Sequence, residues 1–379
     1  MKTNRNRIVL AALALVFVGP AVSSAQQPQR DRFKAWDRNN DGKLSKEEFP
    51  ERLRNQFDGI DDDRNGSLSP KEFDAYLKSR EARKKKRDGR TPPKRAGGTS
   101  RPTHADVKYG SHKRNVMDVW LAESKSPTPV LVSIHGGGFR GGNKSVAPEL
   151  REACLKAGIS VVAITYRLSQ DAIAPAQFHD AARAIQFIRH NAKTWNLDPD
   201  RIGATGGSAG AGISLWLGFH HDLADPDNKD PVLRQSSRLT CMAVSNGQTS
   251  YDPRFIKALF PEDDKVYRIE PLRLLFDADL DNLDRLSKEK YQLFEYVSPI
   301  NHVTNGDAPA LLTYQQRDSE RDIGIHSPRF GHALKKKMDQ LGIRCEVQTH
   351  LNRSDPRYVS VVMGFILKEF GMKTSPKKE

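Results

Sequence analysis

Ser208 is the residue best placed, by type and spacing, to do chemistry. It lies in Gly206-Gly207-Ser208-Ala209-Gly210, a G-x-S-x-G pattern between the short apolar run Arg201–Thr205 and an apolar segment starting at Ala209. A serine on a strand-to-helix corner sits in a strained conformation that only small neighbours allow, and its hydroxyl is lifted clear of the sheet. The helix N-terminus behind it favours developing negative charge. That combination suits attack on a carbonyl. Upstream, His135-Gly136-Gly137-Gly138-Phe139 closes a second apolar run. Consecutive glycines let the backbone turn its N–H groups inward, as an oxyanion requires. Either stretch alone is also compatible with a plain glycine turn; the two together point to a nucleophile.

A second chemistry is written near the N-terminus. Residues 37–48 and 61–72 are twelve-residue loops with oxygen-bearing side chains at positions 1, 3, 5, 9 and 12 and glycine at position 6. The first offers Asp37, Asn39, Asp41, Ser45 and Glu48 around Gly42; the second offers Asp61, Asp63, Asn65, Ser69 and Glu72 around Gly66. Calcium takes six to eight hard oxygens, two of them from the glutamate at position 12 and one from the backbone carbonyl at position 7, here Lys43 and Ser67. Phe33 and Phe49 bracket the first loop, and Phe57 and Phe73 the second. The segment resembles a pair of EF-hands, and that resemblance implies Ca2+ as its ligand. With no methionine-rich groove, a structural or docking role is expected rather than that of a target-binding sensor.

The elements that must position Ser208 follow from periodicity. Val116–Leu121, Val130–His135 and Ile159–Tyr166 read as strands, and Ala147–Ala157 as a helix. Phe178, Ala182, Ile185, Ile188, Ala192 and Trp195 recur at steps of three or four, an amphipathic helix. Strands alternating with helices predict an α/β fold, a doubly wound, mostly parallel sheet, preceded by the small all-α pair of calcium loops.

His135–Phe139, Tyr166-Arg167-Leu168, Pro175, Asp180, Asp198–Ile202 and Gly206–Gly210 come in an order and spacing similar to the α/β-hydrolase fold. The branch it resembles holds hormone-sensitive-lipase-like and bacterial feruloyl- and acetyl-xylan-type esterases. The resemblance covers about residues 104–372 and implies Ser208 as nucleophile. It also implies an oxyanion hole built from the backbone N–H groups of Gly137, Gly138 and Ala209, with no organic cofactor. The sequence departs from the family where an acidic residue usually precedes the serine and a glycine pair follows it; here Gly207 and Gly210-Ala211 take those places.

In this fold the remaining partners follow in the order acid, then histidine. Asp318, just past the apolar run Ala310–Tyr314, stands where the family places its acid; Asp322 is the alternative, and Asp307 precedes the run. The histidine is expected between the last strand, Arg344–Thr349, and the C-terminal helix, where His350 is the only one. The family's position beside glycine reads Asn352-Arg353-Ser354-Asp355 here. Three outcomes therefore stay open: His350 is the base, His326 replaces it, or no base remains. The leading expectation is a serine carboxylesterase with Ser208, Asp318 and His350, acting on a small ester or an acylated polysaccharide. A non-catalytic binding module and a serine peptidase of the same fold are the other readings. His220-His221 is expected to be surface or pocket wall rather than a metal pair, since neighbouring residues on a helix point apart.

Composition sets the frame. The 379 residues suggest two domains. A basic start, the apolar run Ile8–Val18 and Ser23-Ser24-Ala25 read as a cleavable secretory signal over residues 1–25, too short to span a bilayer. The expected order continues with the EF-hand pair at 26–78, a basic linker at 79–103, the hydrolase at 104–374 and a tail at 375–379. The chain would then work in the periplasm or outside the cell. Most of the net charge of +14 lies in the N-terminal segment and around the linker, with its Arg83–Arg87 run. That placement excludes a nucleic-acid-binding face on the larger domain and leaves the linker free to contact an anionic polymer or lipid surface. Cys154, Cys241 and Cys345 are odd in number, widely spaced and in apolar context, so core packing is expected of them rather than disulfides.

Overall fold

The computed structural model describes residues 33–49, 57, 60–63, 65–78, 101–263, 265–317, 323–351 and 353–372. The expected signal segment, most of the linker, and both Asp318 and Asp322 lie outside the described residues. The chain divides into two compact units, Met1–Gly97 and Gly98–Glu379.

In the first unit, β1 (Leu44–Ser45) and β2 (Ser67–Leu68) pair antiparallel with Leu44 opposite Leu68. This two-stranded link joins the loops at their eighth positions. Around it Phe33, Phe49, Phe57, Phe73 and Leu77 are buried, with Trp36 and Tyr76 packed against them. Edge-to-face ring pairs, such as Phe33–Phe73 at 5.5 Å and Trp36–Phe49 at 5.4 Å, build a core in a unit too small to bury much else. Gly42 and Gly66 take φ of 79° and 81°, the left-handed turn that position 6 demands.

The second unit is an eight-stranded sheet between two layers of helices. Its strands are β3 (His104–Lys108), β4 (Val116–Trp120), β5 (Thr128–Ile134), β6 (Ser160–Ile164), β7 (Leu197–Gly207), β8 (Cys241–Ser245), β9 (Ala310–Thr313) and β10 (Cys345–Gln348), in the spatial order β10-β9-β8-β7-β5-β6-β4-β3. The run from β10 to β6 is parallel; β4 joins β6, and β3 joins β4, antiparallel. β5, β6 and β8 are buried along their whole length, as strands covered on both faces must be. One face carries α1 (Pro148–Lys156) and α9 (Tyr358–Glu369), which bury Leu150, Cys154, Val362, Phe365 and Ile366 against it. The other carries α2 (Ala176–His190), α3 (Ala209–Phe219) and α8 (Arg329–Gln340). Helix α3 is buried all round, matching its continuously apolar sequence. Between β8 and β9 the chain forms α4 (Pro253–Leu259), α5 (Glu270–Phe276), α6 (Lys288–Val297) and α7 (Pro299–His302). The three cysteines are free and buried. Burial pushes the Cys154 and Cys345 thiols up to about 12, so they behave as apolar side chains.

The order in the sheet matters for function. From β5 the chain moves outward to β6, then returns to the other side of β5 as β7. The loops leaving β5 and β7 therefore diverge, and a crevice opens at the carboxyl ends of these two strands. Both glycine-rich motifs end there, because Ile134 is in register with Gly206.

Candidate active site

Ser208 stands at the turn between β7 and α3 with φ 52° and ψ −119°, a conformation strained for any residue with a side chain. The turn is held by Ser208 N–H donating to Ser245 O at 3.0 Å and Gly212 N–H to Ser208 O at 3.0 Å. The flanking glycines are steric necessities. A Cβ on Gly206 would meet the Gly210 carbonyl at 2.5 Å, and one on Gly210 would lie 2.1 Å from Ile134 O. Gly207, where the family usually carries an acid, leaves room for Arg353, whose Nη2 would be 2.7 Å from an added Cβ and whose Nε donates to Ser245 Oγ at 2.9 Å.

After β5 the chain turns through Gly137, Gly138 and Phe139 with φ of 107°, 58° and 59°. Among the described residues, the N–H groups of Gly137, Gly138 and Ala209 donate to no backbone acceptor. The first two flank Ser208 from the β5 side, and Ala209 opens α3.

Arg114 braces this loop. Its Nε donates to Tyr166 O at 2.7 Å, and its Nη2 reaches Gly142 O at 3.0 Å and His135 Nε2 at 3.2 Å. A guanidinium can only donate, so His135 Nε2 accepts and its Nδ1–H donates to Gly136 O at 2.7 Å. Tyr166 stacks on the imidazole at 4.3 Å and donates its hydroxyl to His135 O. Burial, and then the neighbouring guanidinium, hold His135 down at about 4 despite its bond to Gly136, so it is neutral at working pH. Arg114→Gln removes the guanidinium that spans all three acceptors, and its positive charge with it. The expected result is a fall in kcat of about tenfold or more with KM little changed, and an acid-side loss of activity that moves to higher pH as His135 protonates more readily. A pH profile of kcat checks this; an unchanged kcat and profile would make the brace unnecessary.

The imidazole that meets the serine is that of His326. Its Nε2 lies 2.9 Å from Ser208 Oγ, and burial holds its basicity below the ordinary histidine value. The expectation placed on His350 is corrected by this geometry. Past β10 the chain stays tied to the sheet edge, with His350 N–H donating to Gln316 O and Leu351 N–H to Tyr314 O. β10 is three strands from β7, so a residue fixed to that edge is roughly 14 Å from Ser208 in the sheet direction. His350 is exposed, with φ 54°. His326 instead rides on the long connection between β9 and α8, pinned over the site by Gln248 Nε2 donating to Ile325 O at 2.7 Å. The sequence signal for it was faint: a histidine just ahead of the Ser327-Pro328 helix start, after a loop long enough to cross β8.

The other acidic alternative, Asp307, is buried in an ion pair with Arg238 at 2.7 Å and accepts Thr304 N–H, a structural role. His220 is buried at the end of α3, its ring tilted against Trp216 at 4.1 Å, while His221 is exposed. In the acidic stretch after Pro261, Asp279 and Asp281 both pair with Arg273.

Beside Ser208 is a cavity of about 30 Å³, walled chiefly by Phe139, Tyr251, Ile256, Leu272, Ile325 and Phe330. Ile256 of α4 and Leu272 of α5 form part of its wall, and it has room for a few heavy atoms.

In the first unit the two twelve-residue loops are closed by bonds to their own acidic side chains. Asp37 accepts the N–H groups of Asp41 and Gly42, and Asp61 those of Asn65 and Gly66. Glu48 accepts from Ser45 and Glu72 from Ser69, bonds that hold both carboxyls below the usual range. Carboxylate oxygens of Asp61, Asp63 and Glu72 converge within 4.8 Å.

The parallel sheet, the serine corner and the facing glycine loop together define an α/β-hydrolase. The chain belongs to the BD-FAE family, whose model matches residues 117–323, and an EF-hand model matches residues 30–51. Esterase LipQ of Mycobacterium tuberculosis is 27% identical over 224 residues, 56% of this chain and 48% of LipQ. The chain spans about half the length, or less, of such curated relatives. Among solved structures, an acetyl ester-xyloside bifunctional hydrolase from Caldicellulosiruptor lactoaceticus matches with TM-score 0.57 and 18% identity, over 73% of this chain and all of that one. Thermogutta terrifontis esterase 2, phosphonylated by sarin, matches with TM-score 0.54 and 20% identity, over 76% of this chain and all of that one.

Proposed function

We propose that this chain is a serine esterase that removes short acyl groups from alcohols, using Ser208 as nucleophile and His326 as base. The reading rests on one observation, the 2.9 Å contact between Ser208 Oγ and His326 Nε2. Oγ attacks the ester carbonyl carbon as Nε2 takes its proton. The carbonyl oxygen becomes an oxyanion against the N–H groups of Gly137, Gly138 and Ala209. Collapse breaks the ester C–O bond, and His326 returns the proton to the leaving alkoxide. A water then gives a proton to His326 and attacks the acyl-enzyme carbonyl; the acyl C–Oγ bond breaks, His326 returns that proton to Ser208 Oγ, and the acid leaves. The carboxylate expected at Asp318 is outside the described residues.

The acyl half of the ester fits the small apolar cavity beside Ser208, whose volume of about 30 Å³ limits its length. Activity toward nitrophenyl esters is expected to be highest for acetate to butyrate. It should fall by roughly tenfold or more at octanoate, since extra methylenes have no room. Equal kcat/KM across the series would contradict an acyl pocket of this size.

For the first unit, we propose that Asp37, Asn39, Asp41, Glu48 and the Lys43 carbonyl hold one Ca2+, and Asp61, Asp63, Asn65, Glu72 and the Ser67 carbonyl a second. The converging oxygens of Asp61, Asp63 and Glu72 fit a hard cation. Bound calcium would stabilise this small aromatic core by mass action. Calorimetry should show a calcium-dependent rise in its unfolding temperature, lost in Glu48→Gln with Glu72→Gln; a rise that survives both changes would overturn the assignment.

A further inference from the structure

His179, His220, His221 and His302 are scattered in sequence and meet at one corner of the larger unit. His220 stands just past α3, its ring centre 3.9 Å from that of His221, 4.6 Å from that of His302 at the end of α7, and 5.1 Å from the Tyr296 ring on α6. His179, on α2, joins through its Nε2, 2.8 Å from the Tyr296 hydroxyl. Carbonyl bonds fix two of the tautomers: His220 Nδ1–H donates to His221 O at 3.0 Å, and His302 Nε2–H donates to Tyr296 O. His220 Nε2 is thereby left as a bare lone pair, buried and without a hydrogen-bond partner. A proton entering the cluster has an open acceptor there.

The surroundings disfavour that proton. His220 is buried, and a charged imidazole there loses its hydration. The carboxylates on the adjoining elements are engaged: Asp180 of α2 with Arg167 at 2.6 Å, Asp307 after α7 with Arg238 at 2.7 Å, Glu295 of α6 with Arg254 at 2.5 Å, and Asp222 with Ser237 N–H at 2.8 Å. Two cations reach the same corner, Arg238 donating to His220 O at 2.9 Å and Lys337 of α8 to Ile300 O at 2.7 Å. Burial first, then repulsion from His221, His302 and His179, hold His220 down at about 4 despite its bond to the His221 carbonyl. Burial, then His221 and Lys337, lower His302; burial, then Arg167, lower His179. An unfolded chain takes these protons near about 6.5, so the stability held by the neutral cluster is lost as the pH falls from there toward about 4.

This corner is stitched to the wall of the cavity beside Ser208. Ser298, between α6 and α7, accepts Tyr251 N–H at 2.8 Å and the Ser250 hydroxyl at 3.3 Å, and Ile300 N–H donates to Thr249 O at 2.9 Å. Ser250 and Tyr251 line the cavity. Trp216 of α3 donates to Tyr296 O at 2.8 Å, which ties the corner to the helix that begins at Ser208. We propose that the four histidines are an acid-sensitive latch. Neutral, they hold the α6–α7 corner against α3 and keep the cavity small; protonated, they repel one another and release it, so that longer acyl groups enter. The latch's effect on selectivity rests on the esterase reading above; its effect on stability does not.

The test uses the full chain as wild type and as the double variant His220→Asn with His302→Gln. Asparagine carries an amide N–H where His220 has Nδ1, and glutamine one where His302 has Nε2, so both carbonyl bonds are kept and neither position can charge. Nitrophenyl butyrate and octanoate are compared at about pH 7 and about pH 5, on either side of the window set by the histidines. Taking the ratio of the two esters at each pH cancels the titration of His326, which both share. The octanoate-to-butyrate ratio of kcat/KM should rise by about fivefold or more on acidification in the wild type and stay level in the double variant. The unfolding temperature of the larger unit should fall over the same step by about 4 °C more in the wild type than in the variant. His302→Gln alone, at a half-buried position, should remove part of both effects and serves if the double variant does not fold. Equal thermal responses in wild type and variants overturn the latch. A wild-type ratio unchanged between the two pH values overturns its hold on the cavity. Failure to hydrolyse either ester, with no labelling of Ser208 by a fluorophosphonate, overturns the esterase reading, and the thermal comparison then decides the latch by itself.

Discussion

His326→Ala is expected to lower kcat/KM toward a short nitrophenyl ester by at least about a thousandfold, as much as Ser208→Ala, because each change removes one half of a unit. His350→Ala is expected to cost less than about tenfold. The difference follows from where the two imidazoles stand. His326 Nε2 is within hydrogen-bond reach of Ser208 Oγ. His350 is bound through its backbone to the edge of the sheet, three strands from β7. The pH dependence carries the same signature. Burial disfavours the imidazolium form of His326, so the neutral, proton-accepting form persists below the ordinary histidine value of about 6.5. The acid limb of kcat/KM should therefore lie below that value. A limb above it, or a large loss in His350→Ala, would place the base elsewhere.

Gly210→Ala should be the most damaging of the single methyl additions near the site. Its Cβ would lie 2.1 Å from Ile134 O and 2.7 Å from His135 O, both backbone atoms at the end of β5. Neither can swing aside as a flexible side chain would. To make room, α3 must move off the sheet, which pulls Ser208 away from His326 and Ala209 away from the oxyanion position. Overpacking of this kind costs about 1–3 kcal/mol or more. That corresponds to a drop of several degrees in the unfolding temperature of the larger unit, at about 2–4 °C per kcal/mol. Activity should fall by more than about a hundredfold, since a misplacement near 1 Å is enough for that. Gly364→Ala is the control. It lies exposed in α9 with no atom within 4 Å of an added Cβ, and it should stabilise by about 0.5–1 kcal/mol through helix propensity. Equal thermal shifts in the two variants would show that the corner is not sterically closed.

The contrast between Ser208 and His326 explains what could be read in the chain itself. The serine corner is local: a strand, a turn and a helix within a dozen residues, with glycines required by contacts that the strand-to-helix geometry imposes. The facing loop, His135–Phe139, is legible for the same reason. The alternation of strands and helices, and the burial of Cys154, Cys241 and Cys345, follow from apolar patterning. The base is different. Which histidine reaches Ser208 depends on which loop crosses the sheet, and that is decided by contacts distant in sequence, such as Gln248 with Ile325 and Leu351 with Tyr314. His350 has the right position along the chain and the wrong position in space. The role of Arg114 was likewise invisible, because its three acceptors, at Tyr166, His135 and Gly142, come together only when β4, β5 and β6 pair.

The central claim is that Ser208 is a nucleophile activated by His326. The most direct measurement is the rate of phosphonylation by a fluorophosphonate, with the adduct located by peptide mass spectrometry. The account predicts one adduct, on Ser208, formed rapidly in the wild type and in His350→Ala and slowed by at least about a hundredfold in His326→Ala. An adduct on another residue, or equal rates in His326→Ala and the wild type, would contradict it.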